Sequence, residues 1–331
     1  MNQDLMLRLF RSIEGEPNDD IIKVADAIID SERKKGHGKL ADRLTGILKR
    51  NVQSTSSLKG ELQNIFGSTI AIPKDNRKNI PLAVEISRDE LRHDMVLPIY
   101  VEEKIQRIEK EYVARERLAL FGLKPKRRIL LHGSPGCGKS MSAERIAWNT
   151  GLPFLKVRFE AIISSYLGES ASNLTKLFEA VSSYPCVLLL DEFDFIAKAR
   201  GDKQDVGEMH RVVNILLNVL EDYDGPGIVI ATTNLQGAID PALLRRFDDI
   251  IELPKPAKEQ ITRILKNTLG AIKLAKDIRW DELSSELLDY SAALIVKIAL
   301  DAAKISVLNS QNQVEMIHLI QSIQENKNYK T

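Results

Sequence analysis

Gly133-Ser134-Pro135-Gly136-Cys137-Gly138-Lys139-Ser140 follows the run Arg128–Leu131, with only His132 between them. The run has the length of a strand, and the octet fits G-x-x-x-x-G-K-[ST], a loop that joins a strand to a helix around a phosphate chain. Glycines let the backbone curl so that successive N–H groups point inward at phosphate oxygens. The helix that follows adds its positive end. Lys139 can reach β- and γ-phosphates, and the Ser140 hydroxyl can ligate Mg²⁺. With Met141 included, the predicted cradle is Gly133, Ser134, Pro135, Gly136, Cys137, Gly138, Lys139, Ser140 and Met141. A glycine turn that happens to precede Lys-Ser is the alternative, and the order strand, loop, helix argues against it.

A second motif lies downstream. Val187-Leu188-Leu189-Leu190 runs straight into Asp191-Glu192. A buried strand that delivers two carboxylates at its C-terminal end puts them where open α/β sheets bind ligands. Asp191 suits a role holding Mg²⁺, and Glu192 suits activation of an attacking water. Alone, the pair could be a solvated acidic turn. Beside a phosphate loop it reads as chemistry.

Outward from these motifs, Phe154–Arg158 and Gly227–Ala231 are further runs of strand length. Helical patterns such as Leu174, Leu177, Phe178 and Val181 separate them. The alternation predicts a parallel sheet with helices on both faces. This α/β domain is set at residues 91–253. Pro254 and Pro256 mark its end, and residues 254–331 read as helical throughout: Ile261–Leu269, Trp280–Leu288, Ala292–Val307 and Val314–Glu325. Toward the N-terminus, Ile21, Ala25, Ile28 and Ile29, then Leu40, Leu44, Ile47 and Leu48, give two amphipathic helices around a turn containing Gly36 and Gly38. They predict a small helical domain over residues 1–55. Residues 56–90 lose periodicity and read either as a linker with one extended piece, Leu82–Ile86, or as an ordered part of the next domain.

Taken together, these motifs resemble the AAA family of ATPases over roughly Leu97 to Lys304. Phe121-Gly122-Leu123-Lys124-Pro125 is similar to that family's approach to the phosphate loop. Tyr166-Leu167-Gly168-Glu169-Ser170 resembles its central-pore loop, Ile230-Ala231-Thr232-Thr233-Asn234 its sensor strand, and Ile239–Asp248 its second region of homology. The resemblance is closest to compact bacterial members with one ATPase module. It implies that Asn234 orients the attacking water, that Arg245 and Arg246 reach the γ-phosphate bound by a neighbouring subunit, and that Tyr166 and Leu167 grip an extended chain. Asp240-Pro241 is a good helix start, which places the two arginines about one turn on. Many relatives separate these arginines with Pro-Gly. Here they are adjacent, which leaves either one as the main finger. For Tyr166 the alternative is a core tyrosine, although Gly168 and the helix start at Ser170 favour an exposed loop. Tyr290 to Lys304 corresponds to the family's lid helix, with Ser291-Ala292-Ala293 where relatives carry Ser-Gly-Ala. Arg211 is either a contact to the next subunit or plain helix surface.

The implied activity is Mg²⁺-dependent ATP hydrolysis in a homo-oligomeric ring, with a hexamer expected, that remodels, unfolds or translocates a protein. ATP and Mg²⁺ are the implied cofactors. A separately encoded protease or effector is an implied partner. Two other classes remain: a nucleic-acid-associated P-loop ATPase, and a nucleotide-switched scaffold with little turnover.

Composition weighs against the first of these. The 331 residues are 44% hydrophobic and 28% charged, as in a folded globular protein, with 47 Lys and Arg against 46 Asp and Glu. A protein built to grip nucleic acid usually carries a clear positive excess. The intact Asp191, Glu192, Asn234 and arginine pair weigh against the scaffold. No apolar run approaches the ~20 residues of a membrane span. Met1–Asp20 mixes Arg8 and Arg11 with acidic residues, unlike a secretory leader, so a cytoplasmic location is expected. The two cysteines and five histidines form no zinc-binding array. Cys137, between two glycines near a helix start, is expected to have a lowered pKa, and Cys186, heading a buried strand, to react slowly.

Overall fold

The computed structural model describes residues 70–75, 79–162, 169–193, 206–234, 244–309 and 313–327, together with Ile29, Ala41, Leu44 and Thr45. The chain divides into two compact units, Met1–Ile70 and Ala71–Thr331. In the first, Ile29, Ala41, Leu44 and Thr45 are helical, and Ile29, Ala41 and Leu44 are buried.

The second unit opens with β1 (Ala83–Ile86), α1 (Ile99–Val113) and α2 (Arg115–Ala119). Then come β2 (Arg128–His132), α3 (Lys139–Thr150), β3 (Phe154–Val157), α4 (Phe159–Ile162), α5 (Glu169–Ser182), β4 (Val187–Leu190), α6 (Val206–Glu221), β5 (Ile228–Thr233) and β6 (Asp249–Glu252). The six strands form one sheet in the order β1-β3-β4-β5-β2-β6. Only β1 runs antiparallel to its neighbour. Every residue of β4 and β5 is buried, as expected of parallel strands covered on both faces. The predicted α/β sheet is thus observed, with two additions. Val84 pairs with Lys156 and Ile86 with Phe154, so residues 83–86 are a strand of this sheet rather than a tether. The short edge strand β6, with only Ile250 and Ile251 to signal it, carries too little pattern to be legible in advance.

Strand order positions everything that follows. β4, β5 and β2 are adjacent and parallel, with Leu190 opposite Ala231 and Thr233 opposite His132. The three motif-bearing strands therefore end along one edge of the sheet.

The C-terminal part contains α7 (Lys258–Thr268), β7 (Lys273–Leu274), α8 (Trp280–Glu286), α9 (Ala292–Leu308), β8 (Gln313–Val314) and α10 (Met316–Asn326). Ile261, Leu265, Leu283, Ile295, Ile298 and Leu319 close a core between the helices. The expectation of an entirely helical region needs correction, because β7 and β8 pair in parallel. Strands of two residues show no alternation to read. Val314, expected in the last helix, lies in β8, and α10 begins two residues later.

Candidate nucleotide site

At the end of β2 the chain turns sharply. Gly133 has φ of 143°, and a Cβ there would sit 2.2 Å from the carbonyl oxygen of Leu253, so only glycine fits against the backbone just after β6. Gly138, in the left-handed region, leads into α3, whose first residue is Lys139. The first amides of this helix have no carbonyl partner within it and face the loop, a natural anion seat.

Lys139 is buried, with 8% of its surface exposed. Its Nζ donates to the Gly133 carbonyl at 2.8 Å, the Ser134 carbonyl at 3.0 Å and Asn234 Oδ1 at 2.7 Å. The loop lysine and Asn234, far apart in sequence, are thus in direct contact. Asp191 is the other hub. Its Oδ1 accepts from Ser140 Oγ at 2.8 Å and Thr232 Oγ1 at 2.7 Å, and its Oδ2 accepts from Lys156 Nζ at 2.7 Å. Burial alone would push the Asp191 carboxyl up; hydrogen bonds from Lys156, Thr232 and Ser140 outweigh it and hold the group below the ordinary value. A hydroxyl and an ionised carboxylate 2.8 Å apart are hard oxygen donors of the kind Mg²⁺ takes, usually with several waters kept. Among the described residues no group of three His, Cys, Asp or Glu is placed to hold a metal ion.

Glu192 adopts φ of 54°, uncommon for a residue with a side chain. Its amide donates to Thr232 Oγ1 at 3.0 Å, and the next amide, of Phe193, donates to the Thr232 carbonyl at 2.8 Å. Thr232 therefore holds the backbone of the base candidate and the carboxylate of the metal candidate at once. Sequence reasoning gave it no role. Lys156 was missed too, although a lone cation within the run Phe154-Leu155-Lys156-Val157 was a usable signal.

Lys139, Ser140, Asp191, Glu192, Thr232 and Asn234 line a cavity of about 710 Å³. The residues 135–141 form its floor. Met95 and Val96 line it from the segment before α1, and Ile264, Ala292 and Val296 from the C-terminal helices. The Ala293 amide donates to the Gly136 carbonyl at 3.0 Å, tying that helical part directly to the loop.

Cys137 corrects an expectation. The thiol is buried, and burial pushes its pKa up by more than the nearby Lys139 and Lys255 pull it down. Cys186 behaves as foreseen: it is fully buried and pushed up to about 12. Arg245 is exposed, whereas the partly buried Arg246 pairs with Glu221 of α6 at 3.1 Å. Tyr166, Leu167, Asp240 and Pro241 lie outside the described residues.

The ATPase family associated with various cellular activities (AAA) matches this chain over residues 129–255. An uncharacterized AAA family ATPase of Sinorhizobium fredii is 34% identical over 312 residues, which cover 94% of this chain and 91% of that relative. The chain belongs to the AAA family of ATPases. It is also similar to proteasome-activating nucleotidases. That of Methanosarcina mazei is 29% identical over 273 residues, and nucleotidase 2 of Haloferax volcanii is 34% identical over 221 residues. The chain spans 65% and 54% of those two proteins. As an AAA ATPase it binds nucleotide and hydrolyses ATP. Among the described residues no helix is long and apolar enough to cross a membrane.

Proposed function

We propose that this AAA ATPase is an Mg²⁺-dependent protein-remodelling motor that works as a ring of six, each site completed by an arginine of the neighbouring subunit. The observation that carries the reading is the meeting of Lys139, Asn234, Ser140, Asp191 and Thr232 at the ends of three adjacent parallel strands. Lys139 exchanges its carbonyl contacts for β- and γ-phosphate oxygens when the triphosphate enters the loop. Ser140 and Asp191 would hold Mg²⁺, which would supply positive charge to offset that of the phosphates. Asn234 orients a water, and Glu192 takes its proton as the water oxygen attacks the γ-phosphorus. The bond to the bridging oxygen breaks, releasing phosphate and leaving ADP.

The two arginines divide the remaining work. Arg246 is committed to Glu221 of its own chain, so Arg245, exposed, is the residue that reaches across to stabilise charge on the transferring phosphoryl group. Similarity to nucleotidases named as proteasome-activating supports a protein substrate and a separate protease or effector as partner. The loop bearing Tyr166 and Leu167 is assigned to substrate grip by the resemblance alone.

Complementation tests the ring. Arg245→Ala should bind ATP and lose turnover, as should Glu192→Gln. Mixed, they should regain activity, because intact Glu192 of one subunit then meets intact Arg245 of another. Arg246→Ala should instead lower the melting temperature and keep much of the turnover. Absence of rescue on mixing, with activity per subunit independent of protein concentration, would place the arginines in cis or in packing and remove the ring. A Glu192→Gln protein that retains no protein cargo in the presence of ATP would count against the remodelling role.

A further inference from the structure

Between the short turn at Arg88–Glu90 and α1 the chain runs without regular hydrogen bonding from Leu91 to Pro98. Asp94 and Met95 in its middle line the nucleotide cavity, and the same two residues line a second cavity of about 620 Å³ shared with Glu102 and Arg145. Leu91 and Leu97 anchor its ends in the core and Val96 packs against the C-terminal helices, whereas Arg92, His93 and Asp94 between them are exposed. What holds this exposed stretch lies to one side. The Arg92 amide and Nε each donate to Glu144 Oε2 at 2.9 Å, and the rest of the guanidinium pairs with Oε1. The His93 ring lies parallel to that of Trp148, with centroids 4.0 Å apart and 2° between planes. The Arg88 guanidinium sits 4.8 Å from the Trp148 centroid and donates to the Trp148 carbonyl at 3.2 Å. Glu144 and Trp148 stand four residues apart on α3, hence on one face of it. That is the helix whose first turn seats the phosphates.

We propose that Arg88, His93 and Trp148 form a latch that positions the wall of the cavity remote from the phosphates, so that they set nucleotide affinity without entering the hydrolytic step. They are positioning residues: none lines the nucleotide cavity itself. The inference rests on the nucleotide-site reading above. A nucleotide held at the loop by its phosphates must place the rest of the molecule along the cavity, toward Met95, Val96, Ile264 and Val296. With the stacking removed, the segment occupies its binding position for only a fraction of the time, and the apparent dissociation constant rises by the inverse of that fraction. Aromatic and cation–π stacking of this kind accounts for a factor of about five to ten.

The test compares two probes on the full chain by calorimetry: ADP, which uses the whole cavity, and inorganic tripolyphosphate, which uses the loop alone. His93→Ala and Trp148→Ala should weaken ADP about five- to tenfold and raise KM for ATP by the same factor. Affinity for tripolyphosphate and kcat at saturating ATP should stay at the wild-type level, and Trp148→Phe, which keeps a ring, should recover most of the ADP affinity. His93 is exposed, so its variant reports on the latch even where Trp148→Ala disturbs folding. Unchanged ADP affinity in His93→Ala would overturn the latch, as would equal losses for both probes. Wild-type protein that bound neither probe would overturn the site reading, and the latch with it.

Discussion

Replacing Thr232 by valine keeps the side-chain shape and removes one hydroxyl, at a position that is 1% exposed. The change opens no cavity, so its cost is polar. Asp191 Oδ1 loses a donor at 2.7 Å, and the Glu192 amide loses an acceptor at 3.0 Å. A hydrogen bond to an ionised carboxylate contributes about 2 kcal/mol, and an amide left without its acceptor costs about 1 kcal/mol more. The sum, on the order of 3 kcal/mol, corresponds to a fall in melting temperature of roughly 6–12 °C for a domain of this size. The pH dependence follows from the depressed Asp191 pKa. Such a group contributes stability that is complete above its unfolded value and is lost as pH falls through the folded one. Thr232→Val raises the folded pKa, so the gap between variant and wild type is full at pH 7 and shrinks in acid. Turnover should fall about 10- to 100-fold as Glu192 loses the bond that fixes its strained backbone. ADP affinity should change by less than about threefold, because the contacts of Lys139 are untouched. Thr232→Ser, which keeps the hydroxyl, should restore turnover. Thermal unfolding between pH 4 and 8, with steady-state ATPase assays, measures all of this. A valine variant with wild-type melting temperature and turnover would refute the reasoning, as would one in which nucleotide affinity fell as far as turnover.

Two shorter predictions accompany it. Cys137, raised by burial, should react with iodoacetamide more slowly than free cysteine at pH 7, and its rate should climb about tenfold per pH unit as the thiolate fraction grows; labelling faster than free cysteine at pH 7 would contradict the burial argument. Cys186 should stay unlabelled until the protein unfolds. Gly136→Ala forces a side chain onto φ of 74° and places its Cβ 2.9 Å from Ser291 Oγ; ADP binding should weaken at least about tenfold through strain of a few kcal/mol, with the fold intact by circular dichroism. Undiminished ADP affinity in that variant would mean that the loop yields without cost.

The parts of the fold legible in the sequence were those written in contiguous residues. Val187–Leu190 is apolar at every position because β4 is covered on both faces, and the octet after β2 carries its meaning in its own spacing. Asp249–Glu252, Lys273–Leu274 and Gln313–Val314 are strands only because a partner lies beside them, and two- or four-residue pieces with exposed positions leave no periodicity to detect. The site divides in the same way. The sequence motifs named Lys139, Asp191 and Asn234, but the hands that hold Asp191 come from register. Lys156 stands opposite Leu189 and Thr232 opposite Leu131, relations that no single segment contains. Arg245 and Arg246 look alike in the sequence, and the pairing of Arg246 with Glu221 is visible only in the fold. Cys137 was misjudged because the glycines and the helix start are visible in the sequence, whereas the packing that buries the thiol is not.

The hydrogen bond from Ala293 to Gly136 makes the start of α9 a fulcrum. From there the helix runs 17 residues, about 25 Å at ~1.5 Å per residue. Ile295, Ile298, Ala299 and Ala302 lock it into the closed core that includes Ile261, Leu283 and Leu319, so a rotation at this corner would carry the packed helices with it as one arm. Tilting this arm by ~5° about the Ser291 corner carries Leu308 through about 2 Å, from the same ~1.5 Å rise per residue. A shift at the loop too small to break that hydrogen bond would thereby be geared up to a displacement the size of a side-chain contact at the far end.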